Sequence, residues 1–407
     1  MLSTVAHARA RSVSDARIPL LVLFAAVTAT AAKFYLAATT LGTNDIIYWT
    51  QFAAGVEAFG PIGIYGNVFE APYNHPPLAG WWLLLLNAGQ DLGLSFALLI
   101  RIPAIVADVL TCWLVFRLLS ERTSLRVAGA AAAGLVWSPV LVVVSGFHGN
   151  TDPVFVALTI SSFYLLTRKD RPLLAGLCLG LAVSIKLVPL VAIPFLLFLA
   201  LRRGPMVLLR FALGGTIVLA VLWVPVVVKA WPEFYAAVLG YRGIPVREWG
   251  IAEFLQQAGY LEADVWLAER GSWVVVIAAL VPFAAWLHRR SAHWDVVGLG
   301  LALVSMLLLT PAFGMQYLSW ALAAAYLLSI RMAWFYNIAA SLLVLSVYSM
   351  WSGGGPPWRW EQAWGMPFTI GQLMLMAATW TCLLLVWIDG LVAPARVSTD
   401  TTRKKTT

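Results

Sequence analysis

Residues 172–201 read PLLAGLCLGLAVSIKLVPLVAIPFLLFLAL, thirty positions with a single charge, Lys186. Read as one helix, the run crosses a membrane once. Read with a break near Lys186–Pro189, it crosses twice, as 172–187 and 188–201. The choice sets the orientation of every later segment. Basic residues collect in cytoplasmic loops, and with the N-terminus in the cytoplasm the broken reading puts 19 of the 27 Lys and Arg there. They include Arg117, Arg122 and Arg126, then Arg168, Lys169 and Arg171, then Arg202, Arg203 and Arg210. One merged span would move Arg202 and Arg203 outside and invert everything after them. The charge pattern therefore predicts a break, and Pro189 supplies a residue that interrupts a helix.

Outward from that stretch the chain is of one kind. Of its 407 residues 61% are hydrophobic and 11% charged, against roughly 45–50% and about 25% in soluble domains. Its mean hydropathy is +0.83. This excludes a cytosolic enzyme, a DNA-binding protein and a disordered chain, and predicts an all-α polytopic membrane protein. The net charge of +8 fits basic cytoplasmic loops. No compact basic patch with interleaved aromatics suggests nucleic acid. Cys112, Cys178 and Cys382 lie inside apolar runs without metal or disulfide spacing. Many of the 20 Trp stand near the ends of apolar runs, as interfacial belts do.

Twelve spans are expected, at about 18–39, 94–119, 126–146, 153–167, 172–187, 188–201, 206–228, 272–287, 295–311, 315–330, 333–351 and 367–388. The first is long enough to be a span rather than a cleaved leader. Residues 1–17 and 391–407 then form cytoplasmic tails, the second Ser/Thr/Lys-rich, around a single domain over 18–390. Two external loops stand out, 40–93 and 229–271. The first holds Asp45, Glu57, Glu70 and Asp91 and no Lys or Arg. Its segment 78–88, LAGWWLLLLNA, reads as an interfacial or re-entrant helix. Long loops in a compact protein are usually functional.

On this topology the unusual polar residues gather at the external face: Asp45, His75, Arg101, His148, Asn150, Asp152, Lys186, Arg242, Arg247 and Gln316. A membrane enzyme joining a lipid-borne donor to an acceptor needs such a face, whereas transporters more often bind near the midplane. Asp45 has two readings, a helix cap or a general base. Lys186 either snorkels to the interface or faces a phosphate. Arg101 lies seven residues before Asp108, on one helix face, and either pairs with it or helps hold a phosphate. In FHGNTDP, Asp152 before Pro153 starts a helix, Gly149 permits a turn, and His148 is an interfacial or a functional residue. No metal-ligand spacing is present.

These residues also carry a resemblance. TNDIIYW (43–49) and EAPYNHPPLAGWWLL (70–84) resemble the first external loop of GT-C class integral-membrane glycosyltransferases, which use polyprenyl-phosphate-linked sugars. SPVLVVVSGFHGNTDP (138–153) and GLCLGLAVSIKLVPLVAIP (176–194) look like segments of GPI mannosyltransferase catalytic subunits and of bacterial family 87 mannosyltransferases. TPAFGMQYLSW (310–320) is similar to their late QY-x-x-W segment. The motifs cover about 43–82, 137–194 and 311–320.

The resemblance implies a GT-C-like fold with Asp45 as catalytic base. It implies Lys186 near the donor phosphate, Tyr73 and Pro76–Pro77 in the loop element, and Gln316 with Tyr317 at sugar or acceptor. Ile47 stands where the eukaryotic enzymes have the second acid of Asp-x-Asp, so a metal role departs from the pattern. The expected activity is an inverting transfer of a sugar, mannose first, from a polyprenyl-phosphate donor to a glycolipid or lipoglycan hydroxyl outside the membrane. Arg101, Arg242 and Arg247 would assist Lys186; His75, His148, Asn150 and Asp152 would line the substrate. No cofactor and no nucleic acid is expected. The alternative is a transporter or flippase of lipid-linked sugars.

Overall fold

The computed structural model describes residues 17–241, 248–260, 262, 271–288, 293–356, 358 and 368–392. They form an all-α bundle. In chain order the helices are α1 (Ile18–Thr39), α2 (Asn44–Gly63), α3 (Leu78–Asp91), α4 (Ile102–Ser120), α5 (Leu125–Val136), α6 (Pro139–Val143), α7 (Asp152–Arg168) and α8 (Pro172–Ile185). They continue as α9 (Ile193–Arg203), α10 (Pro205–Phe234), α11 (Gly250–Gln257), α12 (Gly271–His288), α13 (Trp294–Leu309), α14 (Leu318–Leu328), α15 (Ile330–Trp351) and α16 (Ile370–Val392).

Each expected apolar run overlaps helix, though 94–119 is interrupted at Ile100–Arg101 and 126–146 at Trp137–Ser138. By length and composition six stretches can cross a membrane: Ile18–Thr39, Phe96–Ser120, Leu125–His148, Pro205–Leu239, Ile330–Trp351 and Ile370–Val392. Pro172–Ile185, Trp273–Ala284 and Trp294–Leu309 are shorter apolar helices. Among the described residues these make nine apolar helices, where twelve crossings were expected. Leu20, Phe24, Val228 and Met374 are exposed, as lipid-facing side chains are, while every residue of α14 is buried.

Helix starts follow local chemistry. Prolines stand in the first two positions of α1, α4, α6, α7, α8, α9 and α10, where the missing N–H costs nothing. Ser124 and Ser329 cap α5 and α15 by accepting from Val127 N and Met332 N. The break at Lys186 is present: α8 ends at Ile185, Lys186 is extended, and a 3₁₀ turn over Val188–Ala192 leads into α9. α8 and α10 touch backbone to backbone, and a Cβ on Gly176 would meet Phe211 O at 2.0 Å. Small residues are what permit such an approach between membrane helices.

The first external loop is itself helical. α2 and α3 bury Trp49, Phe52, Val56, Leu83 and Leu86 in a core of their own, closed by Phe234 and Val238 from the end of α10. At 14 residues α3 is shorter than the ~20 a spanning helix needs. Deeper in the bundle Lys33 donates to Asp108 Oδ2 at 2.5 Å, and Ser145 donates to the same oxygen at 2.6 Å. Asp108 was expected to face Arg101; its partner is instead Lys33 of α1, a residue the sequence reading passed over inside an apolar run.

Candidate active site

Asp45 lies in the first turn of α2, yet it does not cap the helix. Thr43 does, its hydroxyl oxygen accepting from Asp45 N at 3.3 Å and its hydrogen going to His148 O at 2.9 Å. The carboxylate is free to turn to another element, and its Oδ2 lies 2.9 Å from His148 Nε2. His148 ends a π-turn, Val144–His148, that follows α6. Its other ring nitrogen, Nδ1, is hydrogen-bonded to the hydroxyl of Tyr348 on α15.

Two glycines let these segments meet. Gly149 has φ +85°, and a Cβ there would lie 2.1 Å from Ile46 Cδ1. Gly42 has φ +93°, and a Cβ there would lie 2.0 Å from Arg101 Nη2. Both need a backbone that other residues rarely adopt.

Arg101 explains the second crowding. Its Nη1 donates to Ala37 O and Thr40 O at 2.9 Å each, and its Nη2 donates to Phe147 O at 2.7 Å. The side chain has no exposed surface. The expectation of a phosphate contact is corrected: the guanidinium joins the end of α1, just before Asp45, to the turn that carries His148. Five donors in a fixed fork suit that task.

The cationic side is built around Lys186. Its ammonium donates to Asp152 Oδ1 at 2.6 Å and lies 4.8 Å and 4.9 Å from the ring centres of Tyr317 and Trp320. Those rings stack at 3.8 Å, and Trp320 Nε1 donates to Asp152 Oδ2 at 2.7 Å. Asp152 N donates to Asn150 Oδ1 at 2.7 Å. Asp152 is wholly buried with both oxygens engaged. Asp152 thus holds Lys186, and Asn150 holds the start of α7; Lys186 keeps about a quarter of its side chain exposed and two further N–H donors.

Lys186 and Asp45 share one electrostatic neighbourhood. Burial pushes the Asp45 carboxyl up, but the attraction and hydrogen bond of His148, then Lys186, then His75, hold it below the usual range. It is ionised at neutral pH. His75 is pushed down to about 3, first by burial and then by Lys186, against the pull of Asp45, so its ring is neutral. That ring stacks on Trp49 at 4.2 Å.

The remaining expectations divide. Tyr73 is buried against Phe52 and Tyr65 in the loop core, its hydroxyl without a hydrogen-bond partner among the described residues. The Gln316 side chain folds back over Gly314, within 3 Å of where a Cβ would be. Ile47 is exposed. Arg242 and Arg247 lie outside the described residues. The sequence reading missed Tyr348 and Tyr241; burial raises the Tyr241 phenol and the Asp45 charge raises it further, against the effect of Asn74. Neither carries a local signal. Trp320 was visible as the last residue of QY-x-x-W. Among the described residues no three His, Cys, Asp or Glu side chains converge as metal ligands do.

The multi-pass helical bundle thus gathers an ionised carboxylate and an aromatic-caged ammonium at its helix ends. Residues 73–311 match glycosyltransferase family 87, more than half of the chain, and the chain belongs to that family. It is 26% identical to a polyprenol-phosphate-mannose-dependent alpha-(1-2)-phosphatidylinositol mannoside mannosyltransferase of Mycolicibacterium smegmatis, over 69% of this chain and 68% of the relative. It is 27% identical to GPI mannosyltransferase 1 of Candida albicans over a shorter stretch, 23% of this chain and 24% of that protein. Among solved structures it is similar to ArnT from Cupriavidus metallidurans bound to undecaprenyl phosphate, with TM-score 0.49, 13% identity, and coverage of 91% of this chain and 76% of that one.

Proposed function

We propose that this glycosyltransferase moves a sugar, mannose first, from a polyprenyl-phosphate carrier to a hydroxyl of a glycolipid or lipoglycan acceptor, with inversion, at the external membrane face. One observation carries the reading: Asp45 and Lys186, 141 positions apart in the chain, act on each other electrostatically within one site. The carboxylate takes the proton of the acceptor hydroxyl. The ammonium faces the phosphate on the opposite side of the anomeric carbon and steadies its charge as the bond breaks. The mannose-dependent relative supports the donor class and the sugar. The basic residues concentrated on the other side of the expected topology support an external site, with both termini cytoplasmic.

The test is Asp45→Asn in purified protein, incubated with a panel of polyprenyl-phosphate sugars while release of the free lipid phosphate is scored. Loss of the base should slow release on the order of 10²–10⁴-fold. Activity near wild type would remove Asp45 as base. Movement of intact donor without bond formation, read by mass spectrometry, would overturn the transferase reading.

A further inference from the structure

Tyr348 belongs to none of the sequence motifs, yet it is fully buried on α15 with its hydroxyl against Nδ1 of His148. The same imidazole meets Asp45 Oδ2 through Nε2 at 2.9 Å. A neutral imidazole has one N–H, and its position is set by what the other nitrogen meets. With the hydrogen on Nδ1, Nε2 would aim a lone pair at an anionic oxygen. With the hydrogen on Nε2, the ring donates to Asp45 and accepts from Tyr348, and both contacts are satisfied.

We infer that Tyr348 is a positioning residue for the base: by donating to Nδ1 it holds His148 as the Nε2–H tautomer, which orients Asp45 and leaves Oδ1 for the acceptor hydroxyl. The inference rests on Asp45 being the base. In the transfer step the acceptor O–H bond breaks and its proton goes to Asp45 Oδ1. The acceptor oxygen bonds to the anomeric carbon, and the anomeric C–O bond to phosphate breaks, its electron pair leaving on the polyprenyl phosphate. His148 and Tyr348 keep their protons throughout.

Without the Tyr348 hydroxyl, nothing fixes which ring nitrogen carries the hydrogen, and with it on Nδ1 the lone pair of Nε2 faces Asp45 and the contact is lost. The charged and titratable groups around the pair are Asp45 on α2, His75 ahead of α3, Arg101 ahead of α4, Asp152 opening α7, Lys186 after α8, Tyr241, Tyr317 ahead of α14, and Tyr348 itself. Asp45 and Tyr348 are the two side chains hydrogen-bonded to the ring among the described residues.

The variant is Tyr348→Phe, which keeps the ring against Phe147 and Trp358. It is assayed as full-length protein in lipid nanodiscs with polyprenyl-phosphate mannose. The expected result is a kcat lowered on the order of tenfold, part of what a general base supplies, with donor KM unchanged. Side-chain ¹⁵N spectra should show the Nε2–H form of His148 in wild type and its loss in the variant, at an unchanged unfolding midpoint. An unchanged kcat, a raised donor KM alone, or an Nε2–H signal that persists in the variant would overturn the inference. Asp45→Asn in parallel separates the two readings. If it stays active the base assignment fails. If it is inactive while Tyr348→Phe behaves as wild type, only the tyrosine's role fails.

Discussion

Arg101→Lys separates a phosphate ligand from a backbone clamp. The guanidinium spends two hydrogen bonds on Ala37 O and Thr40 O through one nitrogen and a third on Phe147 O through the other. Lysine carries all its donors on one nitrogen, so it reaches one side of this bridge and leaves the other carbonyl group buried without a donor. An unsatisfied buried group costs about 1–3 kcal/mol. The two ends of the bridge carry Asp45 and His148, so part of that cost falls on the geometry of the pair. A loss of about 1.4 kcal/mol of transition-state stabilisation is tenfold in rate. The variant should therefore unfold at lower temperature and show kcat reduced about 10- to 100-fold. Its donor KM should stay within about twofold, because a clamp contributes to orientation and not to ground-state binding of the donor. Initial rates against polyprenyl-phosphate mannose, with thermal unfolding in detergent, measure both. A donor KM raised tenfold or more at unchanged kcat would refute the clamp and restore the phosphate contact.

On the proposed phosphate role, Lys186→Met should raise donor KM more than acceptor KM; initial rates with each substrate varied in turn decide, and a change confined to the acceptor would be wrong for a phosphate partner. Lys33→Met alone should destabilise the protein by about 3–5 kcal/mol by stranding Asp108, whereas Lys33→Met with Asp108→Leu should regain most of it; equal unfolding midpoints for the single and double variants would contradict this. His75 is near 6.5 unfolded and about 3 folded, so the unfolded chain binds the extra proton: its contribution is complete above pH 6.5 and is lost as pH falls toward about 3. The Asp45 carboxyl, held low, adds a loss of the same sign at still lower pH. His75→Phe, which retains a ring to stack on Trp49, should flatten the acid side of the unfolding midpoint plotted against pH.

Composition alone determined the class of this protein, because nothing soluble can hide 61% apolar residues behind 11% charged ones. The break at Lys186 was equally legible, since basic loops report orientation and Pro189 cannot continue a helix. Asp45 and Lys186 could be singled out one at a time, each being a costly charge in an apolar setting. That they come within electrostatic reach of each other is a tertiary fact. So is the division of labour around them: Asp152 and Arg101 look like substrate ligands in one dimension, and burial makes them supports. Lys33 shows the same limit from the other side, a charge hidden in an apolar run until α4 brought Asp108 to it. Tyr348 carried no signal at all, because a phenol in a membrane helix is ordinary and only packing decides that an imidazole 200 residues away stands within reach of it. Local sequence sets where a helix starts, stops and bends. Which polar atoms it spends on scaffold and which it leaves for substrate depends on the neighbours that desolvate them.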